Sequence, residues 1–182
     1  MKKKFFLLRH CKATGQNPKA PLSPEGLRQS ELIVPRLCTL KIDGIISSSY
    51  ERAVQTISPF SATADLSMSI DDRLCERILT TQEMPDWKQN LEATFYQPAL
   101  KFAGGESSEE ARRRIVDCVD IWSGKYESPV FVSHGNIIII YLQSLDASIG
   151  FQHWSEMASP ELIEVNKSDG MVRIVWHRDL IG

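Results

Sequence analysis

Phe5-Phe6-Leu7-Leu8-Arg9-His10 is the stretch on which the fold turns. Four consecutive apolar residues, ended abruptly by two basic ones, read as a buried β-strand. Two later stretches have the same form: Ile45-Ile46-Ser47-Ser48-Ser49-Tyr50-Glu51-Arg52 and Val130-Phe131-Val132-Ser133-His134-Gly135. Each apolar run delivers an Arg or a His just past its end. In a parallel α/β sheet, ligands bind outside the carboxyl ends of the strands. Arg9, His10, Arg52 and His134 converging there would form a pocket for a dianion such as a phosphoryl group. Helices starting behind two of these strands would add free N–H groups that also suit phosphate.

The bulk properties are compatible with that picture and narrow it. The 182 residues are 42% hydrophobic and 24% charged, an ordinary globular composition for one domain over 1–182. A net charge of −2 gives no general attraction for nucleic acid or for an anionic membrane, so any anion binding is local. Cys11, Cys38, Cys75 and Cys118 are widely spaced, which fits a reducing, cytoplasmic setting better than a disulfide framework. The histidines, His10, His134, His153 and His177, lack ligand spacing, so neither a metal nor a cofactor is expected. Lys2-Lys3-Lys4 before Phe5–Leu8 looks like the start of a signal peptide, but the apolar stretch falls short of the roughly 7–15 residues one requires. No stretch approaches a membrane span.

Along the chain, residues 4–9 read as the first strand and a polar loop follows. Ser23-Pro24-Glu25 starts a helix: Ser caps, Pro suits the first position, and Glu favours the positive end. Leu27, Val34 and Leu37 continue it, with a bend or break expected at Pro35. Residues 42–47 read as a second strand. The helix opening near Tyr50 carries Arg52 in its first turn and is expected to be short or bent because of Pro59. Residues 66–70 suggest a short third strand, and 71–104 are the least legible. Ser107 to Glu110 matches a capping box. Behind it, Ala111, Ile115, Val119 and Trp122 share a helical face, while Arg112-Arg113-Arg114 falls mostly on the other, a solvated surface. Residues 130–133 form a buried strand and 136–145 a buried helix. Residues 161–165 and 172–176 read as a closing hairpin about Asp169-Gly170. The fold class is α/β: a three-layer α/β/α sandwich with a mostly parallel central sheet.

Taken together, these segments resemble the histidine phosphatase superfamily, also called the phosphoglycerate mutase-like family. Leu8-Arg9-His10-Cys11 stands where that family has its N-terminal Arg-His-Gly. Leu22-Ser23-Pro24-Glu25-Gly26-Leu27-Arg28-Gln29 resembles its L-S/T-x-x-G-x-x-Q segment. Ser48-Ser49 with Arg52-Ala53-Val54-Gln55-Thr56 resembles S-S-x-x-x-R-A-x-x-T, with the Ser pair shifted by one. Leu74-Cys75-Glu76 resembles the segment carrying the family's acid, Gly105-Glu106-Ser107 its G-E-S helix start, and Val132-Ser133-His134-Gly135 its second-histidine motif.

The resemblance implies a phosphomonoesterase of the histidine acid-phosphatase kind. Neutral His10 would attack phosphorus and become a phosphohistidine. Arg9, Arg52 and His134 would bind the non-bridging oxygens. Glu76 would protonate the leaving alkoxide and later activate water, with Glu83 as the fallback acid. Asn17, in the loop after the nucleophile, is a candidate phosphate contact, although its spacing from His10 is one residue longer than usual. The implied partner is a small phosphorylated metabolite. Alternatives are mutase-type phosphoryl transfer and a weakly active or inactive homologue that binds phosphorylated ligands. The chain departs from the pattern at Cys11 in place of Gly, at Ala13 in place of Thr (with Thr14 next), and at Arg77-Ile78-Leu79-Thr80 after the acid. His10-Cys11 could also open a cysteine-phosphatase H-C-x5-R signature, but position 17 is Asn, so that reading fails. Trp87, Phe95 and Tyr96 are expected mainly in packing, with a leaving-group contact as the alternative.

Overall fold

Alternation along three short strands splits the apolar residues into two cores. Phe6, Leu8, Ile45, Val130 and Val132 pack with Ile33, Leu37, Ile57 and Phe60. Phe5, Leu7, Ile46 and Phe131 pack on the other side with Ile115, Val119 and Ile138. Successive side chains of a strand point to opposite faces, so these strands are the middle layer of three. The computed structural model describes residues 4–166, 168 and 170–177. Its strands are β1 (Lys4–Arg9), β2 (Gly44–Ser47), β3 (Met68–Ile70), β4 (Pro129–Ser133), β5 (Glu161–Asn166) and β6 (Val172–His177). They form one sheet in the order β3-β2-β4-β1-β5-β6. The first four of that order run parallel, while β5 and β6 are added antiparallel. Asp169, at the expected hairpin turn, lies outside the described residues.

Helices α1 (Pro24–Leu32), α2 (Val34–Cys38) and α3 (Glu51–Ala64) cover one face. The helices α5 (Ser108–Ser123) and α6 (Gly135–Leu145) cover the other, flanked by α4 (Trp87–Tyr96) and α7 (Phe151–Glu156). The Ser23 hydroxyl caps α1 through the Gly26 N–H (3.1 Å), and Ser107 with Glu110 forms the capping box of α5. At Pro35 the expected bend is a break between α1 and α2.

Three expectations need correcting. First, of the two forms expected for α3, short or bent, the short one is ruled out: it runs 14 residues with Pro59 inside. An internal proline costs roughly 3 kcal/mol. Ala53, Ile57 and Phe60 are buried on one stripe around it, and that packing carries the helix through. Second, β2 and β3 are shorter than 42–47 and 66–70. Ile42 and Leu66 pack against the core from outside the sheet pairing. Third, α4 and α7 were not foreseen. Among the described residues, no helix is long and apolar enough to cross a membrane.

Register sets the site. Arg9 pairs with Ser133 across β1 and β4, and Ser47 with Val132 across β2 and β4. The backbone continues one residue further, through His10 N–H to Ser133 O and Ser48 N–H to Val132 O, each 3.0 Å. His10, Ser48 and His134 therefore leave the sheet side by side.

Candidate active site

The loop after β1 is braced before any chemistry is considered. The Cys11 N–H donates to Thr56 Oγ1 at 2.9 Å, and the Lys12 N–H to Gln29 Oε1 at 3.0 Å. The Lys12 carbonyl accepts the Ser23 N–H at 2.9 Å, and Gln55 Oε1 accepts the Leu22 N–H at 2.7 Å. Gly26 lets α1 approach that loop, since a Cβ there would lie 2.0 Å from the Lys12 oxygen. Arg52, Gln55 and Thr56 occupy one face of α3 by helical spacing, and all three reach the same loop.

His10 is held in one tautomer. Its Nδ1 lies 2.7 Å from the Cys11 carbonyl, which only accepts, so Nδ1 carries the proton. Nε2 is left with its lone pair, and Arg52 Nε donates to it at 3.2 Å. Burial first, and then the nearby Arg52 and Arg9 charges, lower the His10 pKa to about 4, against the Cys11 hydrogen bond, which raises it. The ring is a neutral base at neutral pH. Its centroid is 5.0 Å from that of His134, which in turn lies 4.9 Å from Tyr50. His134 is fully buried, and its pKa falls well below the ordinary value through burial first and then the neighbouring His10 and arginines. Ser48 Oγ is 2.8 Å from His134 Nε2 and accepts the Tyr50 N–H at 3.2 Å.

Carbonyl groups hold the arginines in place. Arg9 donates to the Met157 carbonyl at 2.6 Å, and its guanidinium lies against Gly135, where a Cβ would come within 3.1 Å of Cζ. Arg52 donates to the carbonyls of Gln16 (3.2 Å) and Asn17 (2.9 Å). Burial pushes the Cys11 thiol up to about 12, so the residue beside His10 is a thiol, not a thiolate.

Glu76 sits at the N-terminus of α6. Its Oε1 accepts the N–H groups of Arg77 (2.9 Å) and Ile137 (3.0 Å), and its Oε2 accepts that of Asn136 (3.0 Å). The segment leading to it is clamped: Ser133 Oγ donates to the Leu74 carbonyl, and Arg114 to the carbonyls of Arg73 and Cys75. Arg114 also pairs with Glu106 at 2.7 Å, so it is a half-buried clamp and not part of a solvated run. Arg9 Nε, His134 Nδ1 and both side-chain amide atoms of Asn136 are buried without a hydrogen-bond partner, an unusual concentration at one place.

Residues 5–179 match the family model of the histidine phosphatase superfamily (branch 1). The chain belongs to the histidine phosphatase superfamily. Among curated relatives, it is 30% identical over 141 residues to the "probable phosphoglycerate mutase GpmB" of Yersinia pestis, covering 69% of this chain and 63% of that protein. The match thus spans under two thirds of the length of such relatives. Among solved structures, a mycobacterial glucosyl-3-phosphoglycerate phosphatase superposes with a TM-score of 0.74 at 18% identity, over 97% of this chain and 99% of that one. YhfR of Bacillus stearothermophilus gives 0.71 at 18% identity, over 94% and 95% of the two chains. These likenesses establish the phosphoglycerate mutase-like fold.

The structure brings Arg9, His10, Arg52, Glu76 and His134 into one neighbourhood. It does not bring in the Asn17 side chain, whose Oδ1 accepts the Lys19 N–H at 2.9 Å in an exposed turn; Asn17 reaches the site through its carbonyl. Glu83 is exposed and lines none of the pockets beside Glu76. Phe95 is core, Tyr96 is exposed, and Trp87 lines a cavity at Glu76. Ser48, Tyr50 and Asn136 were missed as contributors; only their adjacency to Arg52 and His134 in sequence could have marked them. Among the described residues, no group of three or more His, Cys, Asp or Glu is arranged to hold a metal.

Proposed function

We propose that this chain is a phosphomonoesterase that works through a phosphohistidine on His10 and needs no metal. The observation that carries the reading is the His10 tautomer, with Nδ1–H tied to the Cys11 carbonyl and an unprotonated Nε2 facing Arg52. In the first step Nε2 attacks phosphorus, the P–O bond to the alcohol breaks, and Glu76 gives its proton to the departing oxygen. Oε2 of Glu76 accepts a single backbone N–H and keeps a lone pair for that proton. In the second step Glu76 takes a proton from water, the hydroxide attacks phosphorus, and the N–P bond breaks to release inorganic phosphate. Arg9, Arg52 and His134 stabilise the charge on the non-bridging oxygens, which is most of what phosphoryl transfer asks of a protein. Asn17 contributes by fixing Arg52.

Release of phosphate from a simple ester, resistant to chelators, blocked by vanadate and abolished in His10→Ala, is the expected result. In Glu76→Gln, the rate on esters with poor leaving groups should fall by about 10²–10⁴-fold, and far less on aryl esters. Phosphate binding without turnover of any ester would show a binding protein instead. The relatives named as mutases favour a second reading: transfer of the phosphoryl group from His10 back to a hydroxyl of the substrate faster than to water, read as isomerisation of a phosphorylated hydroxy acid.

A further inference from the structure

Two hollows touch Glu76, and they differ in chemistry. One, of about 520 Å³, is lined by Asp72, Glu106 and Glu110. Its cations, Lys101 and Arg114, already pair with Glu110 (2.9 Å) and Glu106 (2.7 Å). Unshared carboxylate charge there opposes a phosphoester dianion. The other, of about 480 Å³, also reaches Arg9, so it joins the phosphate-binding groups to the acid. Beside the polar Gln16, Thr80 and Gln82, its lining carries an apolar set: Leu79, Met84, Leu91 and two tryptophans, Trp87 and Trp154, with ring centroids 6.2 Å apart and planes at 86°. Arg77 also lines it, its guanidinium held by the hydroxyls of Ser108 (2.6 Å) and Thr94 (2.9 Å), which fix its position without cancelling its charge. At its inner end is Asn136, 5% exposed, with both Oδ1 and Nδ2 unpartnered.

A leaving-group oxygen at Glu76 forces the rest of the alcohol into one of these hollows. We infer that the alcohol enters the second and bears a flat apolar or aromatic ring, with a hydroxyl or amide close to the ester oxygen. The ring stands against Trp87 and Trp154, where edge and face contacts of aromatic groups are favourable. The polar group meets Asn136, whose side chain offers one acceptor and one paired donor site. An unsatisfied buried amide discriminates sharply against a ligand that cannot answer it. This inference rests on the phosphomonoesterase reading and adds the substrate class to it.

The test compares 2-phenylethyl phosphate with ethyl phosphate, two alkyl esters whose alcohols leave with similar ease, so the ratio of kcat/KM reads the cavity. We expect a ratio of about 10 or more in favour of the aromatic ester. Trp87→Ala and Trp154→Ala should each cut the ratio by about 5-fold or more, and Trp87→Phe should keep most of it. Asn136→Ala should erase a preference for 2-hydroxy-2-phenylethyl phosphate over 2-phenylethyl phosphate. Tyr96→Ala, on the exposed end of α4, should leave the ratio alone. A ratio near one, a ratio unmoved by both tryptophan variants, or faster turnover of 3-phosphoglycerate than of the aromatic ester would overturn the inference. If no ester is hydrolysed, the phosphatase reading has failed by itself. Calorimetric titration of the two esters then decides the cavity: tighter binding of the aromatic ester, weakened in Trp87→Ala, supports it, and equal affinity refutes it.

Discussion

Gly26→Ala tests whether the helix α1 motif exists to place the nucleophile. By helix propensity alone the change should stabilise the protein, since Ala exceeds Gly by about 1 kcal/mol inside a helix. The structure predicts the opposite sign. The new Cβ would lie 2.0 Å from the Lys12 carbonyl oxygen, 3.0 Å from its carbon and 3.2 Å from Leu22 Cβ. The oxygen is backbone and cannot swing aside, so helix and loop must separate by about 1 Å before the contact becomes tolerable. Three hydrogen bonds resist that: Ser23 N–H and Ser23 Oγ to the Lys12 carbonyl (2.9 and 3.2 Å), and Lys12 N–H to Gln29 (3.0 Å). Each is worth about 1 kcal/mol net. Set against the propensity gain, the expected loss is roughly 1–2 kcal/mol, or a Tm lower by roughly 2–8 °C for a chain of this size. Activity should suffer more. Lys12 follows the carbonyl that fixes the His10 tautomer, and a shift of 1 Å near reacting atoms costs on the order of 10²-fold. Gly15→Ala is the control, because its Cβ meets only Ala20 at 3.7 Å. Thermal melts and kcat for phosphate release measure both effects. A Gly26→Ala protein as stable and as active as Gly15→Ala would refute the reasoning.

His10 should titrate near pH 4 when followed by NMR of the ring nitrogens, and a midpoint above 6 would contradict its burial beside Arg52. Because this folded pKa lies below the unfolded value of about 6.5, unfolding takes up a proton between pH 6.5 and 4. Stability should therefore fall as pH drops through that window, by at most about 3 kcal/mol from this group, and His10→Gln should flatten the fall. Ser48→Ala should lower kcat by about 10- to 100-fold and weaken inhibition by vanadate, while Ser48→Thr restores both. Vanadate inhibition unchanged in the alanine variant would show that the 2.8 Å contact does not hold His134.

What the sequence made legible followed from strong local signals. Runs such as Phe5–Leu8 and Val130–Val132 fit only a buried strand, and strand ends locate ligands in a parallel sheet, so the positions of Arg9, His10 and His134 followed from pattern. The helix starts at Ser23 and Ser107 were equally plain because capping chemistry is local. The length of α3 was not, since Pro59 states a local cost while the packing of Ile57 and Phe60 that outweighs it is tertiary. Asn17 failed for a related reason. Its loop is polar, and the choice between offering the side chain and offering the carbonyl is made by where Arg52 arrives from α3. Arg114 was misread because a triple-arginine run looks solvated until the carbonyls of residues 73 and 75 are folded against it.

The charge of the cage follows from how its members are held. Among the described residues, Arg9 and Arg52 make no ion pair, and carbonyl oxygens anchor both. A carbonyl fixes a guanidinium without cancelling its charge, whereas a carboxylate partner would have neutralised it. The two imidazoles add nothing to the total, because burial keeps both unprotonated at neutral pH. Arg9 and Arg52 thus offer two formal positive charges to a phosphoryl dianion, with Glu76 as the acidic neighbour of both. The same neutrality divides the work between the histidines. In the proposed mechanism His10, whose Nε2 lone pair accepts from Arg52 Nε, is the one that attacks phosphorus. His134, with Ser48 at Nε2, has its unpartnered Nδ1 left to meet an oxygen. A cage of four cations would bind phosphate more strongly but would have no nucleophile, so in the proposed mechanism the depression of the His10 pKa, by burial first and by Arg52 and Arg9 after it, is what makes binding and reaction compatible.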